Sequence, residues 1–393
     1  MPPLAILAAT ILTPLEVLSD AVALVDGGKI VEVGPRLAVR IPPGAHTIDA
    51  RQQTLVPGFV DVHIHGAGGC DVMDSDPGAV RTVAATIARF GTTSFVPTTV
   101  TASPEQTVSA LERINAFLRG TSLADAQHCA EPLGIHLEGP FINPARRGVH
   151  PSEWIAAPSL ELLRQFTASG GVRILTLAPE IPGALELISA ARQQQIVVSM
   201  GHTDATADQA GEAIRRGASH AAHVFNAMRP FSHRDSGVIG AVLSSPEVTA
   251  ELIADGIHVD SAAMRMLLAA KGADRTILVS DGTAATGMPD GRYRLGTFEV
   301  TVSNGVCRNS EGRLAGSTLT LDRAIRNIVG LGVPLNHAVQ MATLNPARLL
   351  GVEKRKGAIA PGADADLVLL DEGLAVRGVV CRGVPLAAQA SGI

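Results

Sequence analysis

Through its middle, the chain alternates short apolar runs with longer Ala- and Leu-rich stretches of helical spacing. The runs read as strands are FVDVHIH (59–65), TTSFVPT (92–98), LGIHLEG (133–139), VRILTLAP (172–179), IVVSMGH (196–202), ASHAAHVF (218–225), TAELIAD (249–255) and TILVSDG (276–282). Segments such as PGAVRTVAATIARF, SPEQTVSALERINAFL and TADQAGEAIRRG lie between them and read as helices. Strands regularly separated by helices predict a (β/α)8 TIM-like barrel. The competing fold is a doubly wound open sheet, which needs a Gly-rich phosphate loop after an early strand. Gly66-Ala67-Gly68-Gly69 follows the first strand but lacks that spacing.

The two ends differ from the middle and resemble each other. Residues 4–56 carry short β-rich runs, with an Asp26-Gly27-Gly28 hairpin signal before Lys29. Residues 357–386 do the same in GAIAPGADADLVLLD and AVRGVVCRGVPL. This predicts a small β-sandwich domain made from both termini, 1–56 with 355–393, beside a catalytic barrel over 57–354.

Composition narrows the functional class. The chain has 393 residues, 46% hydrophobic and 18% charged, which suits a large buried core rather than disorder. Net charge is -5 and no basic block exceeds Lys354-Arg355-Lys356, so a nucleic-acid partner is not expected. The apolar start, MPPLAILAATILTPLEVL, lacks a positive leader and reads as a strand and turn; no stretch is long enough to span a bilayer. Cys70, Cys129, Cys307 and Cys381 have no CxxC spacing and read as reduced thiols of a cytoplasmic protein.

Candidate chemistry collects at strand ends. His63 and His65 close the first strand, and residues i and i+2 of a strand share a face. Alone, such a pair could be two polar residues on an open face. Glu138 closes the third strand, His202 the fifth and Asp281 the eighth, and His223 lies near the end of the sixth. Active sites of this barrel lie at that face. Imidazole and carboxylate ligands without thiolate favour Zn, Fe, Mn or Co, one or two ions per subunit. Glu138, His202 and His223 form one ligand set; His63 and His65 with Asp281 form another, bridged through Glu138. The segment GTAATGMPDG (282–291) reads as a mobile loop over the barrel mouth. His220 and His233 read as structural, and His128 and His337 as surface or helix positions.

These residues resemble the amidohydrolase superfamily, through PGFVDVHIHG (57–66) and GAIAPGADADLVLLD (357–371). More narrowly, the chain is similar to the N-acetylglucosamine-6-phosphate deacetylases. That likeness rests on HLEGPFINPARRGVH (136–150), GHTDAT (201–206), HVFNAM (223–228), DGIHVD (255–260), LVSDGTAATGMPDG (278–291) and LAGSTLTLD (314–322). The resemblance implies hydrolysis of the acetamide on C2 of the amino-sugar phosphate, releasing acetate. It implies Glu138, His202 and His223 as main metal ligands, Asp281 as general base and acid, and His150 as a group that positions the substrate and polarises its carbonyl. It places Val149, His150, Asn226, Ala227, His258, Leu314, Ala315 and Gly316 at the sugar phosphate. Arg234 would reach in from the neighbouring subunit of a homodimer. Some members lack the first HxH pair and bind one metal; keeping His63 and His65 suggests the binuclear branch. The fourth strand has no lysine to carboxylate, which leaves Glu138 as the bridge.

Bland readings stand beside these. Asp281 could be a pure ligand or a helix cap, the loop around His150 a solvated turn, and Arg234 an ordinary exposed arginine. Competing functions are deacetylation of N-acetylgalactosamine 6-phosphate or another N-acetylated amine, a D-aminoacylase, dihydroorotase-like or deaminase activity, and a non-enzymatic barrel. The last would be expected to have lost a ligand, and none is lost.

Overall fold

The computed structural model describes residues 2–120 and 129–386; His128 and residues 387–393 lie outside it. The chain opens with β1 (Leu4–Leu12), β2 (Val17–Asp26), β3 (Lys29–Pro35) and β4 (His46–Pro57). The apolar start is therefore a strand, and Gly27-Gly28 form the tight turn between β2 and β3. Both turn glycines have positive φ, and a Cβ on Gly28 would stand 2.8 Å from the Arg382 carbonyl oxygen.

The barrel strands follow: β5 (Phe59–Ile64), β6 (Thr92–Thr99), β7 (Ile135–Glu138), β8 (Val172–Leu177), β9 (Val197–Met200), β10 (Ala218–Ala221), β11 (Thr249–Leu252) and β12 (Thr276–Leu278). They pair in parallel in chain order. A parallel bridge between Ile64 and Gly282 closes the ring. Every residue of β5 and of β6 is buried, as expected where side chains fill the lumen on one face and meet helices on the other. Helices α1 (Ala79–Ala88), α2 (Pro104–Gly120), α3 (Leu160–Thr167), α4 (Ala184–Gln193), α5 (Ala207–Arg216), α6 (Gly237–Ser244), α7 (Ser261–Arg275) and α8 (Leu321–Gly330) return the chain between strands. Local signals set their limits. In α5, Thr206 and Gln209 form a reciprocal capping box, and Gly217 ends the helix at φ 111°.

Between β12 and α8 lies an antiparallel meander, β13 (Gly291–Leu295), β14 (Phe298–Ser303) and β15 (Val306–Asn309). It buries Leu295, Val300, Val302 and Cys307 against Val100 and Ala285. The sequence reading makes 282–291 a mobile cover; the structure buries Asp281–Thr286 and leaves Gly287–Asp290 exposed. Gly68 and Gly69 donate their N–H groups to Thr286 and Ala284 at 2.9 and 2.8 Å. Small residues here serve close packing: a Cβ on Gly66 would lie 2.7 Å from the Ala284 nitrogen.

The chain ends in β16 (Leu367–Leu370), β17 (Val376–Cys381) and β18 (Val384–Pro385). These join the amino-terminal strands in one sheet, ordered β18-β17-β16-β4-β1-β2-β3. The sheet folds over on itself: Ile30 N–H reaches Ala363 O, and Ala365 N–H reaches Gly28 O, both at 2.9 Å. Ile6, Ile11, Ile30, Leu55 and Leu367 fill the space enclosed. No helix among the described residues is long and apolar enough to cross a membrane.

Candidate metal centre

The paired barrel strands stop short of the runs read from sequence, and the difference lies at the candidate ligands. His202, His223 and Asp281 follow their strands with φ of 48°, 27° and 49°. A non-glycine residue pays conformational energy there, on the order of 1–3 kcal/mol, and holds that shape only when its surroundings fix it. The turn at each strand end swings the side chain across the barrel mouth instead of along the strand.

Glu138 is the hub. Its Oε1 lies 3.0 Å from His223 Nε2, 3.1 Å from His202 Nε2 and 3.3 Å from His63 Nε2. Its Oε2 lies 3.4 Å from His150 Nε2 and 3.5 Å from His65 Nε2. Asp281 Oδ1 is 3.1 Å from His65 Nε2 and 3.8 Å from His63 Nε2. All these side chains are buried.

The opposite ring nitrogens report the tautomers. His65 Nδ1 donates to Thr98 O at 3.0 Å and His202 Nδ1 donates to Arg146 O at 3.1 Å, since carbonyls only accept. Burial above all lowers the His202 pKa to about 4, so its ring is neutral near pH 7. Its Nε2 therefore presents a lone pair to the carboxylate and to His223 Nε2, 3.1 Å away. His63 Nε2 is buried without a hydrogen-bond partner. Burial disfavours charge on His63, yet Glu251 and Glu138 outweigh it and raise its pKa well above normal. Imidazole nitrogens converging in surplus negative charge are what a divalent cation satisfies, so the donor set fits a metal.

His150 differs. Its Nδ1 accepts the Thr101 N–H at 3.3 Å and lies 2.8 Å from the Thr101 hydroxyl, which can donate to it as well and leave the ring proton on Nε2, pointing into the centre. His150 is therefore a donor there. The cavity above the cluster is about 180 Å³ and is lined by Val149, His150, Asn226, Ala227, His258, Leu314 and Gly316, with Val100 and Leu295. His258 Nδ1 is held by Asp255 Oδ2 at 2.7 Å. Ala315 is fully buried behind this wall, and Arg234 is exposed outside the cavity of its own chain. His220 is buried within β10, His233 is exposed and His337 lies on an exposed helical position. Sequence reading missed Glu251, Asp255 and Thr101. Glu251 was signalled only as an acid in the middle of the apolar run TAELIAD, which Asp255 closes.

The amidohydrolase family profile matches residues 54–386. The chain belongs to the amidohydrolase family. An N-acetylglucosamine-6-phosphate deacetylase from Bacillus subtilis is 37% identical to this amidohydrolase, covering 95% of this chain and 94% of the relative. An N-acetylgalactosamine-6-phosphate deacetylase from Escherichia coli O157:H7 is 39% identical, covering 93% of this chain and 94% of the relative. A mutant N-acetyl-D-glucosamine-6-phosphate deacetylase from Mycobacterium smegmatis, solved in complex with N-acetyl-D-glucosamine-6-phosphate, superposes with a TM-score of 0.90 at 35% identity. That match covers 98% of this chain and 100% of the solved one.

Proposed function

We propose that this amidohydrolase hydrolyses the acetamide of N-acetylglucosamine 6-phosphate, giving glucosamine 6-phosphate and acetate. The observation that carries the reading is the convergence on Glu138 of buried imidazoles, beside His150 and Asp281, under a cavity lined by polar and small residues. Glu138, His202 and His223 would hold the main divalent ion, and His63, His65 and Asp281 a second, with Glu138 between them. Zn, Fe, Mn and Co all suit this donor set. Bound there, such an ion supplies Lewis acidity that activates water and polarises an amide carbonyl.

The remaining steps belong to the chain. An amine leaves an amide only when protonated. Asp281 takes the proton of the attacking water and delivers it to the departing nitrogen. Burial raises its pKa, but the hydrogen bond with His65 and the charge of His63 outweigh this and keep the carboxyl below its usual value, ready to accept. His150 Nε2–H donates to the oxyanion. Val149, Asn226, Ala227, His258, Leu314, Ala315 and Gly316 shape the sugar-phosphate subsite. Burial lowers the His258 pKa while Asp255 raises it further, and the net rise suits an anionic substrate. The exposed Arg234 reaches the phosphate of the neighbouring subunit's substrate in a homodimer. The absence of a disulfide among the described cysteines fits a reducing cytoplasm.

The galacto epimer is the second reading, favoured by the 39% identity to the Escherichia coli relative. Acetate release from N-acetylglucosamine, its 6-phosphate and N-acetylgalactosamine 6-phosphate, on protein of measured metal content, tests both. The gluco phosphate should have the highest kcat/KM. No acetate from either phosphorylated sugar would reject the reading.

A further inference from the structure

Glu251 sits on β11, fully buried and without contact to the cavity. One of its oxygens, Oε2, accepts from His63 Nδ1 at 2.8 Å and from the His223 backbone N–H at 2.9 Å. The other, Oε1, lies 2.9 Å from His220 Nε2, whose Nδ1 lies 2.7 Å from Thr249 Oγ1. The Glu251 backbone carbonyl also accepts the Val224 N–H at 3.1 Å. One residue thus grips the positive-φ turn at His223 on both sides and holds the ring of His63.

We infer that Glu251 is the positioning residue of the metal centre, binding its two halves into one rigid frame. The inference rests on the metal-binding part of the reading above and not on the sugar. A carboxylate against Nδ1 holds a proton on that nitrogen and fixes the ring with Nε2 turned toward Glu138. The same oxygen fixes the His223 backbone, so a ligand of the main set and one of the second set share an anchor. His220 holds that anchor from behind, which gives a buried histidine outside the ligand set a defined purpose.

The test is Co²⁺ binding to the metal-stripped full chain, followed by visible absorption, with no sugar present. Glu251→Gln keeps the size and loses the charge. Glu251→Asp keeps the charge but draws the carboxylate back by one methylene, away from His63 and His223. Each should bind Co²⁺ about 10- to 100-fold more weakly, the usual effect of losing such a contact. The visible band should shift because the ligand field changes, while far-UV circular dichroism stays as in the parent. Parent-like affinity and spectrum in a natively folded variant would overturn the inference. Loss of the native dichroism in both variants, even with excess Co²⁺, would also overturn it, because Glu251 would then serve the fold instead. Failure of the parent itself to bind Co²⁺ would reject the metal reading, a separate outcome.

Discussion

At the Glu138 centre, carboxylates meet imidazole nitrogens. At the junction between barrel and terminal sheet, Glu131, Asp364 and Asp366 meet Lys356 and Arg355 instead. The first group is buried and the second partly so, and each gathers side chains that could ligate a metal. In the second, the protein supplies the cations itself. Lys356 Nζ lies 2.5 Å from Glu131 and Asp366 and 2.9 Å from Asp364, while Arg355 reaches Glu131 and Asp364 at 2.8 Å. In the first, His63 Nε2 makes no hydrogen bond, and His202 Nε2 and His223 Nε2 face each other across 3.1 Å. The contrast separates an ion-pair staple from a metal site. What distinguishes them is whether the donors are already answered, not how many acids gather.

Substitutions can break this contrast from either side. The largest effect is expected at Asp281→Asn: kcat should fall by about 10²–10⁴, the usual weight of a general acid–base group, with metal content retained. Near-parent kcat, measured by acetate release, would remove Asp281 from the mechanism. Lys356→Met removes the buried cation that pairs with Asp366, while Arg355 still answers Glu131 and Asp364. Unfolding in urea should show a loss of about 3–5 kcal/mol with unchanged metal content; a stability unchanged from the parent would contradict the staple.

A smaller effect is expected at Arg234→Ala, outside both clusters. KM for the 6-phosphate should rise about 10- to 100-fold, the size of a lost charged hydrogen bond, with little change for the unphosphorylated sugar. Equal changes for both substrates would argue against a phosphate contact.

The smallest effect concerns acid. Burial raises the pKa of Glu131 and of Asp364, yet Lys356 above all outweighs it and leaves both lowered. Carboxyls lowered on folding stabilise above their unfolded pKa, and that stability is lost as pH falls through the folded value. The melting temperature should therefore drop on acidification from about pH 5 towards 3, less steeply in Lys356→Met. Identical slopes would show that the cluster's charges do not matter to stability.

Much of this was legible in the chain. The eight barrel strands announced themselves because parallel strands covered on both faces are continuous apolar runs, and chemistry at their ends stood out against them. FVDVHIH gave the first strand and both histidines directly. The positive-φ turns at His202, His223 and Asp281 were not legible, because nothing in those residue types requires them and tertiary packing imposes them. Glu251 was hidden because its partners, His63, His220 and the His223 backbone, come from other strands. The meander at 291–309 was also missed, and so was the packing before it: GTAATGMPDG has loop composition, yet Ala284 and Thr286 accept the Gly69 and Gly68 N–H groups.

The central claim is that the Glu138 cluster takes divalent metal and the Lys356 cluster does not. Anomalous diffraction from crystals soaked in Co²⁺, collected above and below the cobalt edge, addresses it directly. One or two anomalous peaks are expected among Glu138, His202, His223, His63 and His65, and none among Glu131, Asp364 and Asp366. An empty Glu138 cluster, or a peak beside Lys356, would contradict the account.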